Sequence, residues 1–147
     1  MKAYQITEHT ADIGLRVRGR DLKELLIHSA EGLFHLVTDL DQVKRLHKGP
    51  KTSKLTAVSL DLKAGNAADL FLRWLREWLF LFSAKRLIPV RFHFRKLTEK
   101  RLSAVADCAT FDPCLHEQRY EVKAITYHAF KIERGAKGWI AEVIADV

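Results

Sequence analysis

Polar and apolar positions alternate along this chain with two periods, one of strands and one of helices. Tyr4 to Glu8 reads as a short strand, and Leu15-Arg16-Val17-Arg18 alternates apolar and polar side chains at the strand period. Gly19 turns the chain, and Asp21 stands where a helix N-cap belongs, with Glu24 three residues on as in a capping box. Leu22, Leu25, Leu26, Leu33, Phe34 and Val37 then recur on one face, which predicts a helix running to about Thr38. From Asp39 to Ser53 the period is lost, basic residues dominate and Gly49-Pro50 interrupts, so a long loop is expected. Val58, Leu60 and Leu62 alternate with polar neighbours as the next strand, before Gly65-Asn66 breaks it and Asn66 offers a second N-cap.

The helix predicted over Ala67 to Ser83 is apolar over most of its circumference. Leu70, Phe71, Leu72, Trp74, Leu75, Trp78, Leu79, Leu81 and Phe82 leave one polar stripe of Asp69, Arg73, Arg76 and Glu77. Such a helix is covered on several sides, which makes it the expected centre of the core. From Pro89 onward the strand period returns. Val90, Phe92 and Phe94 alternate with Arg91, His93 and Arg95, and Leu102, Ala104 and Ala106 follow less regularly. Phe111 to Cys114 is an expected loop, Tyr120 to Ile132 a long strand or bent pair, Gly135 to Gly138 a hairpin turn, and Trp139 to Val147 the last strand. The pattern predicts an α+β fold over residues 1–147 as one domain: two helices, the second largely buried, on a mostly antiparallel sheet arrangement.

Composition narrows the classes. A chain of 147 residues, 48% hydrophobic and 29% charged, is ordinary for a globular domain. No apolar run approaches the roughly 20 residues that span a bilayer, and no basic n-region with an apolar stretch opens the chain. Two cysteines, Cys108 and Cys114, make no disulfide framework, so a reducing cytoplasm is expected. The net charge of +7 is the one departure. It is spread along the chain, densest at Lys44 to Lys48 and Arg91 to Arg101, and reads either as a solvated basic face or as a patch that meets RNA or an RNA-bound complex.

For chemistry, the compact polar stretch Glu8-His9-Thr10-Ala11-Asp12-Ile13-Gly14 and the ending Val143-Ile144-Ala145-Asp146-Val147 stand out. If they meet, Asp12, Asp146 and the terminal carboxylate of Val147 gather up to three anionic groups, costly without a cation. An all-oxygen set of this kind suits a hard divalent cation, calcium before magnesium, because calcium tolerates irregular geometry. The alternative of equal weight makes Asp12 a turn residue bonding its own backbone and Asp146 a frayed end. Other sets are weaker. Cys114 with His116 lacks a third group, Cys108, Cys114, His116 and His128 lack paired zinc spacing, His28 and His35 lack an acid on their face, and Asp39 with Asp41 lacks the rest of a calcium loop. No phosphate loop, serine elbow or His-Glu-x-x-His motif is present.

Several blocks, taken together, resemble the archease family. They are Glu8-His-Thr-Ala-Asp-Ile-Gly14, Ala30-Glu-Gly-Leu-Phe34, Thr38-Asp39, the Leu75-x-Glu-x-Leu79-Phe-Leu-Phe82 helix, Val122-Lys-Ala-Ile-Thr-Tyr-His128 and Val143-Ile-Ala-Asp-Val147. The resemblance covers almost the whole chain. It implies a non-catalytic accessory protein of the RtcB-type RNA ligase, promoting guanylylation of the ligase's active-site histidine and its multiple turnover in tRNA splicing and RNA repair. It also implies a cation, usually calcium, on Asp12, Asp146 and Val147. Glu121 and Lys123 adjoin one of these blocks, and charged strand residues usually face outward, so they are expected on a partner-facing surface, with a purely structural role as the alternative of equal weight. Contact with tRNA is expected through the ligase, or directly through the basic surface. The alternative is a basic RNA- or protein-binding chaperone for a tRNA-modifying enzyme. Two features depart from the family pattern: the family tends to be acidic, and Arg76 and Trp78 replace smaller residues in the core helix.

Overall fold

The computed structural model describes residues 3–8, 12–48 and 54–147. Its elements are β1 (Tyr4–Glu8), β2 (Asp12–Gly19), α1 (Leu22–Val37), α2 (Leu40–Leu46), β3 (Thr56–Lys63), α3 (Ala67–Lys85), β4 (Leu87–Leu97), β5 (Arg101–Thr110), β6 (Ala124–Gly135) and β7 (Gly138–Asp146). They form two antiparallel sheets, one ordered β1-β2-β7-β6 and the other β3-β5-β4. The α+β class read from the sequence is the one observed.

Local chemistry sets the helix ends where the sequence places them. Asp21 Oδ1 accepts the Glu24 amide at 2.8 Å, and Glu24 reaches back to the Arg20 amide at 3.2 Å. Asn66 Oδ1 accepts the Asp69 amide at 2.8 Å and starts α3. At its other end Arg86 adopts the left-handed region at φ 58°, returning its N–H to the Phe82 carbonyl at 2.8 Å.

Two expectations are corrected. The stretch from Asp39 is not all loop: Asp39 caps α2 through the Gln42 amide at 3.1 Å, and Leu40 and Val43 are buried. A seven-residue helix anchored by two side chains is too short for its period to show, so the helices number three among the described residues. The expected Gly49-Pro50 break lies outside the described residues. The strand expected from Tyr120 begins at Ala124 instead. Before it, the Arg119 and Tyr120 amides donate to the Val37 and Leu36 carbonyls at 3.0 and 2.8 Å. Those are end carbonyls of α1 that the helix itself leaves without partners, and they draw the segment away from the sheet.

The two sheets share one core. α1 packs on β1, β2 and β7 of one sheet and on β4 of the other, while α3 packs on β6 and on β3 and β4. Trp74, Trp78, Phe34 and Phe71 are fully buried there. Trp74 donates its indole N–H to the Leu26 carbonyl at 2.8 Å. Trp78 meets Phe34, Trp74 and Phe92 edge-on. Arg76 bonds the Ile125 carbonyl at 3.1 Å and lies over the Tyr127 ring at 4.4 Å, tying α3 to β6. Among the described residues, no helix is long and apolar enough to cross a membrane.

Candidate metal centre at the two ends of the chain

Strand alternation decides which side chains of β2 and β7 can meet. Ile13, Leu15 and Val17 of β2 and Trp139, Ala141, Val143 and Ala145 of β7 are buried against the helices. The intervening residues, Asp12, Arg16, Glu142 and Asp146 among them, therefore lie on the opposite face. On that face the antiparallel register pairs Asp12 directly with Asp146, and Asp146 in turn with Ala124 of β6. Directly opposed side chains carry their Cβ atoms about 4.5–5.5 Å apart. Asp12 is thus the first residue of a strand rather than a loop residue, and Asp146 sits in the central strand β7 rather than in a frayed end.

Both aspartates and Val147 are half-buried. Like charges directly opposed across a ladder are destabilising, and the next pair along this face but one, Arg16 with Glu142 at 2.7 Å, is complementary. Among the described residues neither Asp12 nor Asp146 forms an ion pair with a basic side chain. Between the two rows Gly14 leaves room for Thr7, whose Oγ1 would lie 2.1 Å from any added Cβ. The Lys123 amide donates to the Asp146 carbonyl at 2.7 Å, which brings the exposed Lys123 next to Asp146, with the exposed Glu121 two residues before it in the chain. His9, Thr10 and Ala11 of the same sequence block lie outside the described residues. The donor set of two opposed carboxylates and nearby backbone carbonyls is all oxygen and fits a hard divalent cation. Cys108 and Cys114 are elsewhere, on β5 and in the loop after it.

The weaker sets resolve differently. His116 Nδ1 accepts the Asp112 amide at 2.9 Å, so the neutral ring carries its proton on Nε2, facing His47 Nε2 at 3.3 Å. Both nitrogens are engaged, leaving none to activate the exposed Cys114. Burial, and then the His47 ring, push the His116 pKa down. The zinc set does not assemble: Cys108 is buried, and burial followed by Asp107 raises its thiol to about 12. His28 is held through Nδ1 by the Arg18 carbonyl at 2.6 Å.

His35 does gain acids, which the loop expectation concealed. The start of α2 brings Asp39 and Asp41 to it, with ligand atoms within 4.8 Å of one another and His35 Nε2 3.7 Å from Asp41. The Asp39-x-x-Gln42 spacing, a capping-box signature, was the available signal. Burial pushes the His35 pKa down against the opposing pull of Asp41. The Tyr4 ring stacks on His35 with centroids 5.5 Å apart, and burial, then Asp41 and Glu31, raise its phenol to about 12.

Residues 4–147 match the model of the Archease protein family (MTH1598/TM1083). The chain belongs to the archease family. It is 33% identical to the protein archease of Methanopyrus kandleri, covering 98% of this chain and 99% of that one, and 32% identical to that of Pyrococcus abyssi with full coverage of both. Among solved structures, protein 1598 of Methanobacterium thermoautotrophicum superposes over the full length of both chains with a TM-score of 0.74 at 28% identity. An archease of Thermotoga maritima shares the fold, with a TM-score of 0.66 at 22% identity over 96% of this chain and 94% of its own. The archease fold therefore holds at low identity.

Proposed function

We propose that this archease is a non-catalytic accessory protein of an RtcB-type RNA ligase, promoting the ligase's guanylylation and repeated turnover in cytoplasmic tRNA splicing and RNA repair. Family membership supports the reading, as does the description of the Thermotoga maritima relative as a possible chaperone. The observation that carries it is the direct opposition of Asp12 and Asp146 beside Val147. Asp12, Asp146 and Val147 would hold a divalent cation, calcium by the oxygen character of the set. A cation there supplies neutralisation and order to the end of the sheet.

The chain's own residues do the rest. Cross-strand pairing fixes the two carboxylates in register, and the Lys123 amide anchors the segment carrying Glu121 and Lys123 to Asp146. A ligase docking on this end meets a surface already held in one conformation, which lowers the ordering cost of association. In this role the protein orients the ligase's active-site loops and donates no group to the phosphoryl transfer.

The test is single-turnover guanylylation of a cognate ligase with and without this protein. Acceleration is expected, and Asp12→Ala is expected to abolish it while circular dichroism stays native. Absence of acceleration, or ligation by this protein alone, refutes the reading. A second reading, a chaperone that uses its basic surface for a tRNA-modifying enzyme, draws on the net charge of +7 and needs salt-dependent RNA affinity.

A further inference from the structure

The two basic clusters that the sequence keeps apart, Lys44 to Lys48 and Arg91 to Arg101, are neighbours in the fold. Lys44, Arg45, His47 and Lys48 at the end of α2 line one surface depression together with Val90 and Arg91 of β4, with Asp41 as its acid. From Arg91 the cationic surface continues along β4. Arg91, His93, Arg95 and Lys96 are all exposed, while Phe92 and Phe94 turn inward onto Trp74.

A bulge keeps this run of cations on one side. Phe94 pairs with Ala104, but the next partner, Ser103, pairs with Lys96, so Arg95 is an extra residue in the strand. Strict alternation from Phe94 would drive Lys96 into the core and Leu97 out of it. The bulge instead leaves Lys96 in solvent and sets Leu97 opposite the buried Leu102. Some of these charges are balanced: Lys44 pairs with Glu31, and Arg91 with Asp107 at 3.3 Å. Arg45, Lys48, Arg95 and Lys96 are exposed and have no acidic partner among the described residues.

We propose that this strip binds the phosphate backbone of RNA through Arg45, Lys48, Arg91, Arg95 and Lys96, with little reading of base identity. Charge complementarity selects the occupant. Alternate strand residues repeat about every 6.7 Å, so β4 offers a row of separated cations suited to a row of separated phosphates. Beside it, the outward positions of β5 and β3 alternate small residues, Ser103, Val105, Ala57 and Ser59, with charged ones, of which Asp107 is paired with Arg91 and Asp61 with Arg101. An acidic protein partner would call for apolar anchors at its centre. Of the exposed large apolar residues Ile6, Leu46, Phe80, Leu115, Tyr120 and Tyr127, only Leu46 falls in either basic cluster. No aromatic ring among them lies on this strip, so base stacking contributes little and affinity comes from phosphate contacts. Charge on β4, an edge strand, also guards against edge-to-edge pairing, but that role does not account for the cations of α2 beside it. The proposal is independent of the ligase reading, since it is tested on this protein alone.

The experiment is fluorescence anisotropy of a short single-stranded RNA of mixed sequence, titrated with the full chain between about 50 and 200 mM salt. The variant R45Q/K48Q/R95Q/K96Q is compared with K23Q/K85Q/K131Q/K137Q, an equal loss of exposed positive charge elsewhere on the surface. The wild type is expected to bind with a steep salt dependence and alike for two shuffled sequences. The strip variant should bind about tenfold or more weakly, its salt slope flattened by roughly 0.7 for each phosphate it no longer neutralises, while the control keeps the wild-type slope. Absence of salt-dependent binding by the wild type overturns the proposal. Equal losses in the two variants overturn it too, as does displacement of the RNA by polyglutamate at equal charge concentration, which would assign the strip to an acidic protein.

Discussion

The acid row on β2 and β7 and the cationic strip on β4 and α2 are both gatherings of like charge, and they obey different rules. Asp12 and Asp146 are half-buried and fixed face to face by register. The strip's cations are exposed and spread over a strand and a helix end. Two like charges about 5 Å apart repel by roughly 3 kcal/mol at an effective dielectric of 20, and by less than about 1 kcal/mol in water. Register and burial thus concentrate the repulsion of the first gathering at one point, where the proposed cation would relieve it. Exposure turns the second into a long-range field that water and salt largely screen.

Calcium should separate the two most sharply. At a hundredfold excess over its Kd, an ion bound only by the folded chain adds about 2.7 kcal/mol of stability. For a domain of this size that raises the thermal midpoint by roughly 5–10 °C. The rise is expected in the wild type and in the strip variant, and should vanish in Asp12→Ala. It should also shrink when extra residues are appended after Val147, because the chain-end carboxylate is then displaced. Differential scanning calorimetry in calcium and in chelator checks all four, and a flat wild-type response ends the metal-site reading.

A third pair of like groups lies between these extremes. The His47 and His116 rings face one another at 3.3 Å, and His47 Nδ1 is buried without a partner. Protonating His116 would set a second donor against the Asp112 amide and a positive charge beside His47. Its folded pKa lies below the ordinary 6.5, so the unfolded chain takes up the proton first. Stability should therefore be complete above about pH 6.5 and fall as pH drops towards the depressed folded value. His35, lowered in the same direction by burial, adds to the slope. Midpoints measured across this range should decline in the wild type and less steeply in His116→Gln, and an unchanged slope would show that the ring does not carry the effect.

Smaller still is the effect of turning the acid row into a complementary one. Asp12→Lys places opposite charges across the same register position, and such pairs contribute about 0.2–1 kcal/mol. In chelator the variant should melt slightly above the wild type, and calcium should no longer move it. If it melts below the wild type, the apo acid pair was not repulsive, and the argument for a counter-ion weakens.

These features differ in how far the sequence exposes them. α1 and α3 are legible to within two residues, because each carries a side-chain cap and enough turns for its apolar face to repeat. Asp12 and Asp146 are legible as chemistry, two acids in polar or terminal settings. Their exact opposition is not, since it depends on β2 and β7 pairing across nearly the whole chain length. α2 escapes because two buried side chains define no period, and with it escaped the His35 cluster and the meeting of the two basic segments. The segment from 120 to 123 misleads for another reason. Its alternation suits a strand, but the end carbonyls of α1 hold the Arg119 and Tyr120 amides at its start, and only the Lys123 amide reaches β7.

The smallest expected effect bears on the strip itself. Because Arg45, Lys48, Arg95 and Lys96 are exposed and without acidic partners among the described residues, removing their charge breaks no local ion pair. Surface substitutions of that kind usually stay within about 0.5 kcal/mol, and easing mutual repulsion tilts the sign towards stabilisation. R45Q/K48Q/R95Q/K96Q should therefore melt at or just above the wild type at low salt and together with it at high salt, where both are screened. Should it melt well below the wild type, those side chains hold the fold together and the bulge at Arg95 serves packing. Weaker RNA binding by the same variant would then reflect a damaged fold rather than phosphates left without their cations.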